Sequence, residues 1–423
     1  MKHLVVVGQG YVGLPMALRA AEKGFSVVGL DTKVAVVDAL NAGHSHIGDI
    51  SDEELGAGLS HGYSASVDPS CMAQADVIVV CVPTPLSGDG GPDLGPVEGA
   101  ARAIGQYIQS NTLVVLESTT YPGTTGEVFA PLVLGSRLVL GKDVNIAFSP
   151  ERIDPGNRVY GVKNTPKVVG GLTPACTRAA HDFYAEFVDT VVEAKGAKEA
   201  EMAKLIENTF RHVNIALVNE MLRFSHELDI DLWDAIDCAE TKPFGYMAFR
   251  PGPGVGGHCI PVDPSYLSHR VKAQLGYAFR MVELAEEINT ATPLYVANRL
   301  WETLNEQRIA VNGAKVLLLG VSYKPNVSDC RETPAAPLAK RLASWGAEVS
   351  YHDPFVPHWI APTASGESAL DSADDVYAAA SKADIVVMLQ PHSFYDLERL
   401  SSSSSLLLDT RGLLKSSEVV RRL

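Results

Sequence analysis

The apolar positions at the start of the chain fall in short runs separated by glycine. His3 to Val7 is almost wholly apolar and closed by Gly8, as expected of a strand buried on both faces of a parallel sheet. Leu14 to Lys23 places Leu14, Ala17, Leu18 and Ala21 on one helical face before Gly24 stops it, and Phe25 to Leu30 reads as a second strand ending at Asp31. The same grammar returns near residue 315. Val316 to Leu319 is apolar, Pro334 to Ser344 reads as a helix ended by Gly346, and Glu348 to His352 reads as a strand before Asp353. Ala75-Asp76, Val77 to Val80 and Pro83 correspond to Ala383-Asp384, Ile385 to Leu389 and Pro391; Leu113 to Leu116 with Glu117-Ser118-Thr119 corresponds to Leu406 to Leu408 with Asp409-Thr410-Arg411. Matched segments in one order predict an α/β chain with two Rossmann-like, doubly wound domains at its ends.

The middle has another period. Lys198 to Asp229 lacks Pro and Gly, and Met202, Leu205, Ile206, Thr209, Val213, Ala216, Leu217 and Met221 follow helical spacing, which predicts one long amphipathic helix. A second helix is expected from about Val282 to Leu304, softened at Pro293. Such helices suit a homodimerisation platform or a linker packed within the monomer. The expected division is 1–196, a first Rossmann-like domain; 197–304, a central helical domain; and 305–423, a second Rossmann-like domain. Ser401 to Ser405 reads as a solvated loop.

At 423 residues, 46% of them hydrophobic, the chain is long enough for two or three packed domains. Its 35 Lys and Arg against 50 Asp and Glu leave a net charge of −15, which disfavours nucleic acid and anionic membranes as partners. Arg421-Arg422 is the nearest thing to a basic patch. Six cysteines without CxxC spacing fit neither a disulfide framework nor a zinc site, so no metal is expected. The run Leu4 to Val7 is too short for a signal segment, and nothing reaches membrane-spanning length, so a cytoplasmic protein is expected.

Gly8-Gln9-Gly10-Tyr11-Val12-Gly13 is a G-x-G-x-x-G between a strand and a helix, followed 18 residues after Gly13 by Asp31. Gly8 permits the turn, Gly10 admits a pyrophosphate to the backbone, Gly13 lets helix and strand pack, and the helix N-terminus faces the anion. Asp31 would accept from the ribose hydroxyls and repel a 2′-phosphate, favouring NAD over NADP, although Lys33 lies close in sequence. The second copy has one glycine, Gly320, and offers Lys324 and Arg331 as cations for a nucleotide.

Half of the sixteen residues from Phe249 to Pro264 are Gly or Pro, so a shaped loop with exposed backbone is expected there. Cys259 lies in it, beside glycines and four residues before Asp263, and reads as a nucleophile rather than a buried apolar residue. His258 reads as shaping the loop. Lys204 and Asn208, one turn apart on the long helix, could aim a cation and an amide at an oxyanion, while interhelical hydrogen bonds are expected of Asn214 and Asn219.

Together these pieces resemble the nucleotide-sugar dehydrogenase family that includes the UDP-glucose, GDP-mannose and UDP-N-acetylhexosamine 6-dehydrogenases. The resemblance runs through GQGYVG, VPTP at Val82 to Pro85, STTYPGTT at Ser118 to Thr125, SPER at Ser149 to Arg152, AKLIENTFRHVNIALVNE at Ala203 to Glu220, GGHCIPVDP, and YKPNVSDCRETPA at Tyr323 to Ala335. It implies oxidation of a sugar C6 hydroxymethyl to a carboxylate with two NAD in succession. Cys259 is then the nucleophile that holds the aldehyde; Lys204 and Asn208 stabilise oxyanions; Thr119 and Asp263 position water or relay a proton; Glu151 assists hydrolysis. The resemblance also implies NAD contacts at Gly8, Gly10, Tyr11, Val12, Gly13, Asp31, Thr84, Thr119 and Arg331. Nucleotide-sugar contacts fall on Arg152, Lys204, Asn208, Arg211, Arg250, Gly256, Tyr323 and Lys324.

Two departures sort the branches. His258 and Val262 stand where the UDP-glucose and GDP-mannose branches have Ser and Lys, and Pro155 stands where they have a second Glu. Both point to the N-acetylhexosamine branch, and TKPFGYMAFRPGPG with CIPVDPSY resembles the UDP-N-acetylglucosamine enzymes, with UDP-N-acetylmannosamine or UDP-glucose as alternatives. Competing readings are a two-electron dehydrogenase of the 6-phosphogluconate or hydroxyacid type and a nucleotide-sugar-binding protein without turnover.

Overall fold

The computed structural model describes all residues except Met1, Gly88 to Gly90, Pro155, Arg158, His258, Ala364 and Ser365, and the side chain of Cys259. It divides into two compact units, Met1–Glu207 with Ser265–Tyr277, and Asn208–Pro264 with Ala278–Leu423.

In the first unit the strands are β1 (His3–Val7), β2 (Ser26–Leu30), β3 (Tyr63–Ser66), β4 (Val77–Val80), β5 (Thr112–Leu116), β6 (Val144–Phe148), β7 (Lys167–Gly171) and β8 (Val191–Glu193). They form one sheet in the order β3-β2-β1-β4-β5-β6-β7-β8. Every neighbouring pair is parallel except β6 with β7. The helices are α1 (Gly13–Glu22), α2 (Val34–Asn41), α3 (Asp52–Ser60), α4 (Gly95–Tyr107), α5 (Ala130–Leu134) and α6 (Pro174–Tyr184). Alternation along the strands explains why they read as unbroken apolar runs. Leu4, Val6, Val27, Val79 and Val115 enter one buried cluster, whereas Val5, Val7, Ile78, Val80, Val114 and Leu116 enter another on the opposite face.

The central helices are α7 (Ala197–Glu227), α8 (Leu232–Glu240), α9 (Cys259–Leu275) and α10 (Arg280–Glu306). Both expected long helices form, and α10 continues through Pro293. The expected loop does not extend to Pro264. From Cys259 onward the backbone is helical, because Pro261 lies in the first turn, where its missing N–H has no helical partner to lose. Only Pro264 sits in the interior and leaves a carbonyl of the previous turn without its bond.

In the second unit, β9 (Lys315–Leu319), α11 (Ala335–Ser344), β10 (Glu348–His352), β11 (His358–Thr363), β12 (Gly366–Asp371), α12 (Val376–Lys382), β13 (Ile385–Met388), α13 (Leu397–Ser403), β14 (Leu407–Asp409) and β15 (Val420–Arg422) follow in order. Five strands make a parallel sheet, β10-β9-β13-β14-β15, and β11 pairs with β12 as an antiparallel ribbon. Val316, Leu318, Ile385 and Val387 pack on one side, and Leu317, Leu319, Val386 and Met388 on the other. The doubled α/β plan with a helical middle is therefore borne out. The serine tract is not a solvated loop: Ser401 to Ser403 belong to α13, which Asp396 caps and buried Leu400 anchors, and the buried Ser404 hydroxyl donates to Leu400 O at 2.7 Å.

Candidate functional site

The turn after β1 is built from glycine for steric reasons visible atom by atom. Gly8 has φ +93°, and a Cβ there would stand 2.7 Å from the Cys81 carbonyl oxygen. A Cβ at Gly13 would stand 1.9 Å from Gly8 O, so α1 can begin against β1 only with glycine at this place. At Gly10 nothing lies within 4 Å of that position, which leaves open space over the backbone and the start of α1. Tyr11 and Val12 follow, both half-buried. Asp31, half-buried at the end of β2, accepts from Gln9 N at 3.0 Å and from Lys33 N at 3.0 Å. Buried Gln9, which sequence reasoning passed over as a variable position, donates to Val6 O at 2.8 Å and accepts from the Tyr63 hydroxyl at 2.9 Å. These are the donors, the clearance and the acid that a dinucleotide requires, so the residues present fit NAD.

Three further segments of the first unit carry sequence-predicted residues. Thr84 is buried, and the Tyr266 hydroxyl donates to its carbonyl. Thr119 is half-buried in the segment after β5, which buried Glu201 of α7 ties down by accepting from Gly123 N at 2.6 Å, Thr125 N at 2.8 Å and Thr125 Oγ1 at 2.7 Å. One turn along α7, buried Lys204 donates to the Glu151 carbonyl at 2.6 Å. The Glu151 carboxylate accepts from Ile153 N, and Arg152 pairs with Glu207 while donating to Pro166 O at 2.8 Å. So Lys204 and Glu151 are brought together, and Glu201 joins them to the Thr119 segment. A carboxylate on an amphipathic helix gave no sign of this in the sequence.

In the second unit, Asn208 donates to Asp263 Oδ2 at 2.6 Å, and both are buried. Cys259 opens α9; its side chain and His258 lie outside the described residues, as does Pro155, so the roles read for them are not placed. The glycines before it serve packing rather than exposed backbone. A Cβ on Gly256 would meet Glu332 O at 2.6 Å, Gly257 at φ +81° lies against the Tyr323 ring, and Gly257 N donates to Arg331 O at 3.0 Å. Gly252 N donates to Asn219 Oδ1 at 3.1 Å, and Asn219 reaches Asn289 on α10 at 3.2 Å, the interhelical bond expected of it. Asn214 instead donates to Phe210 O of its own helix at 2.7 Å, the carbonyl one turn back that a short polar side chain inside a helix reaches without help from a neighbouring element.

The cations of the second copy are partly committed. Arg331 pairs with Asp329 at 2.6 Å, and Lys324 lies 5.8 Å from the Tyr323 ring centroid. Arg250 is exposed and bridges Asp237 and Glu240 at 2.7 Å each, and Arg211 is exposed on α7. A cation given no role from sequence, Arg411, donates to Leu389 O at 2.8 Å and to Gln390 Oε1 at 2.7 Å. Burial lowers its pKa to about 10 against the pull of Asp409, and its guanidinium stands 2.8 Å from where a Gly252 side chain would begin. Its place in the repeated Asp409-Thr410-Arg411 segment was the available signal.

Among the described residues no group of three or more His, Cys, Asp or Glu could hold a metal ion, and no helix is long and apolar enough to cross a membrane.

Comparison with known proteins gives matches along the whole chain. Models of the UDP-glucose/GDP-mannose dehydrogenase family match in succession: the NAD binding domain over residues 2–188, the central domain over 198–291 and the UDP binding domain over 317–416. The chain is 33% identical to a UDP-N-acetyl-D-mannosamine dehydrogenase of Methanocaldococcus jannaschii, with 98% of this chain and 93% of that protein covered. It is 34% identical to an NDP-N-acetyl-D-galactosaminuronic acid dehydrogenase of Ralstonia nicotianae, covering 99% and 97%. Among solved structures, the UDP-D-ManNAc dehydrogenase of Pyrococcus horikoshii is similar, with a TM-score of 0.88 at 31% identity over 99% of this chain and 98% of that one.

Proposed function

The chain belongs to the UDP-glucose/GDP-mannose dehydrogenase family of NAD-dependent oxidoreductases, and on that premise we propose that it oxidises the C6 hydroxymethyl of a UDP-N-acetylhexosamine to the uronic acid. The observation that carries this reading is the succession of NAD-binding, central and UDP-binding matches along one chain. We assign 1–196 to the cofactor, 197–304 to the central helices and catalytic segment, and 305–423 to the nucleotide sugar.

Bound NAD supplies the hydride acceptor, used twice per sugar. Cys259 adds through its thiolate to the C6 aldehyde, forming a C–S bond and a thiohemiacetal that keeps the aldehyde from escaping. Loss of a second hydride leaves a thioester. Water then bonds to the acyl carbon, the C–S bond breaks with its electron pair on sulfur, and one water proton passes to Glu151 while the other stays on the new acid. Lys204 and the Asn208 amide stabilise the oxyanions. Thr119 and Asp263 position water, and the Asn208–Asp263 bond at 2.6 Å supports treating these two as one unit.

The sugar is N-acetylglucosamine if the TKPFGYMAFRPGPG and CIPVDPSY segments set the choice. N-acetylmannosamine is the second reading, favoured by relatives at 33% and 35% identity that are named UDP-N-acetyl-D-mannosamine dehydrogenases. A homodimer through the central helices is supported by the exposed Phe210, Leu217 and Phe224 of α7 and Met281, Leu284 and Trp301 of α10. The test is NADH absorbance with a panel of UDP-sugars: a UDP-N-acetylhexosamine is the preferred substrate, and Cys259→Ala abolishes acid formation. Two NADH per sugar at the normal rate from Cys259→Ala would overturn the covalent mechanism.

A further inference from the structure

We propose that Glu201 is a positioning residue for acid release: one helical turn before Lys204, its carboxylate fixes where the segment bearing Thr119 stands. This rests on the reading of Thr119 as a residue that places the attacking water, and it identifies what places Thr119.

The first turns of α7 present two buried side chains of opposite charge on one face. Glu201 and Lys204 are three positions apart, hence neighbours on a helix, and are 1% and 6% exposed. Burying a charge is costly unless hydrogen bonds answer it, and here each is answered by the chain beyond a different strand. Lys204 donates to the Glu151 carbonyl, beyond β6, at 2.6 Å. Glu201 accepts only from the chain beyond β5: Gly123 N reaches Oε2 at 2.6 Å, while Thr125 N and Thr125 Oγ1 reach Oε1 at 2.8 Å and 2.7 Å. Hydrogen bonds to an ionised acceptor are the strong and geometrically demanding class. A neutral amide at this place would have one acceptor oxygen and would turn its own donors towards an N–H.

The segment so held is short and stiff. At its start the Ser118 hydroxyl donates to Val82 O at 2.7 Å, and Thr119 follows, half-buried. Beyond Thr119, the Thr124 hydroxyl donates to Tyr121 O at 2.7 Å, Pro122 fixes its own φ, and the Arg270 guanidinium lies 4.8 Å from the Tyr121 ring centroid. Gly123, at φ +105°, turns the chain, and a Cβ there would stand 2.7 Å from Glu127 Oε1. Tyr121 to Thr125 is therefore one braced piece, and Glu201 holds two of its residues. Thr119 stands between that piece and Ser118. The axial rise of about 4.5 Å between positions three apart on a helix then sets the Thr119 segment against the Glu151 backbone that Lys204 holds. A group that places water tolerates little error, since a shift of about 1 Å costs about 100-fold in rate.

The experiment is a double-mutant cycle on the rate of acid release in a single turnover, using the intact enzyme, NAD and the UDP-N-acetylhexosamine it turns over. Glu201→Gln slows acid release by about 30-fold or more, while KM for the UDP-sugar moves by less than about threefold. Added to Thr119→Ala, it slows release by less than about twofold further, because the residue it places is already gone. Thr125→Val, which removes one donor, slows release by about threefold to tenfold, and Thr125→Ser, which keeps the hydroxyl, restores it. A merely structural contact would lower thermal stability and leave the rate in place, or multiply its loss with that of Thr119→Ala; either result overturns the inference. Should Glu201→Gln fail to fold, Thr125→Val takes its place in the cycle, and no loss or a multiplied loss there overturns the inference by itself. Thr119→Ala separates the premise: wild-type acid release in it removes Thr119 from the reaction and the inference with it, whereas slowed release with multiplied losses refutes only the role of Glu201.

Discussion

The two large sheets repeat one strand-turn-strand plan, and the acid that ends the second strand of each does opposite work. Asp31 is half-buried, takes a single amide of the glycine turn, Gln9 N at 3.0 Å, and leaves Gly10 and the start of α1 facing open space. Asp353 is 1% exposed and takes two turn amides, Val321 N at 2.8 Å and Ser322 N at 3.1 Å, besides His392 at 3.1 Å. The second turn also runs on to Pro334 before α11 begins at Ala335, so no helix N-terminus stands at it. A fold copied twice thus offers backbone donors to an anion in one copy and consumes them internally in the other. The lesson is that free amides, not the strand order, make a dinucleotide site.

The comparison breaks most directly at Gly13. Gly13→Val puts carbon within 1.9 Å of Gly8 O, and NAD affinity by titration calorimetry falls by more than about 100-fold. Next is Asp353→Asn, which removes the charge that Val321, Ser322 and His392 share in the core. It costs about 3 kcal/mol in denaturant unfolding while NAD affinity stays unchanged. Asp31→Ala has the converse profile: NADP discrimination relaxes by about tenfold in kcat/KM, and stability moves by less than about 1 kcal/mol. An unchanged NAD preference would remove Asp31 from the account.

The smallest effect is a pH dependence confined to the second copy. Burial lowers the pKa of His352, which contacts the Tyr395 hydroxyl at 3.1 Å. Asp353 is also lowered, burial raising it but the His392 contact and the backbone amides prevailing. Both folded values lie below the unfolded ones, so the stability they contribute is whole at neutral pH and drains as pH falls. His352 acts first, below about pH 6.5, and Asp353 only near the usual carboxylate range. Hydrogen-exchange protection factors at Val321 and Ser322, corrected for the intrinsic exchange rate at each pH, should therefore fall between pH 7 and pH 5, with that of the Gln9 amide unchanged.

Much of this contrast is legible in the sequence. The apolar runs locate β1, β4, β9 and β13 because strands covered on both faces admit few polar residues, and three glycines against one distinguish the turns. What stays hidden is what depends on a distant partner. Glu201 reads as an ordinary helix carboxylate until Gly123 and Thr125 are found on it, and Lys167, whose ammonium stands 2.9 Å from Glu117 Oε2, lies 50 positions from it in the chain. The Gly-Pro segment misleads for a related reason: Pro261 looks like a breaker but occupies a first helical turn, where it costs little. The serines after Leu400 look solvated by composition, yet Asp396 and Leu400 give them a cap and an anchor.

On the proposed reading, this chain carries one sugar through two oxidations. The most direct measurement is the number of NADH formed per molecule of UDP-N-acetylhexosamine consumed, with the product identified by mass. Two NADH and a uronic acid are expected. One NADH with an aldehyde or ketone, or binding of the sugar without reduction of NAD, would contradict that reading.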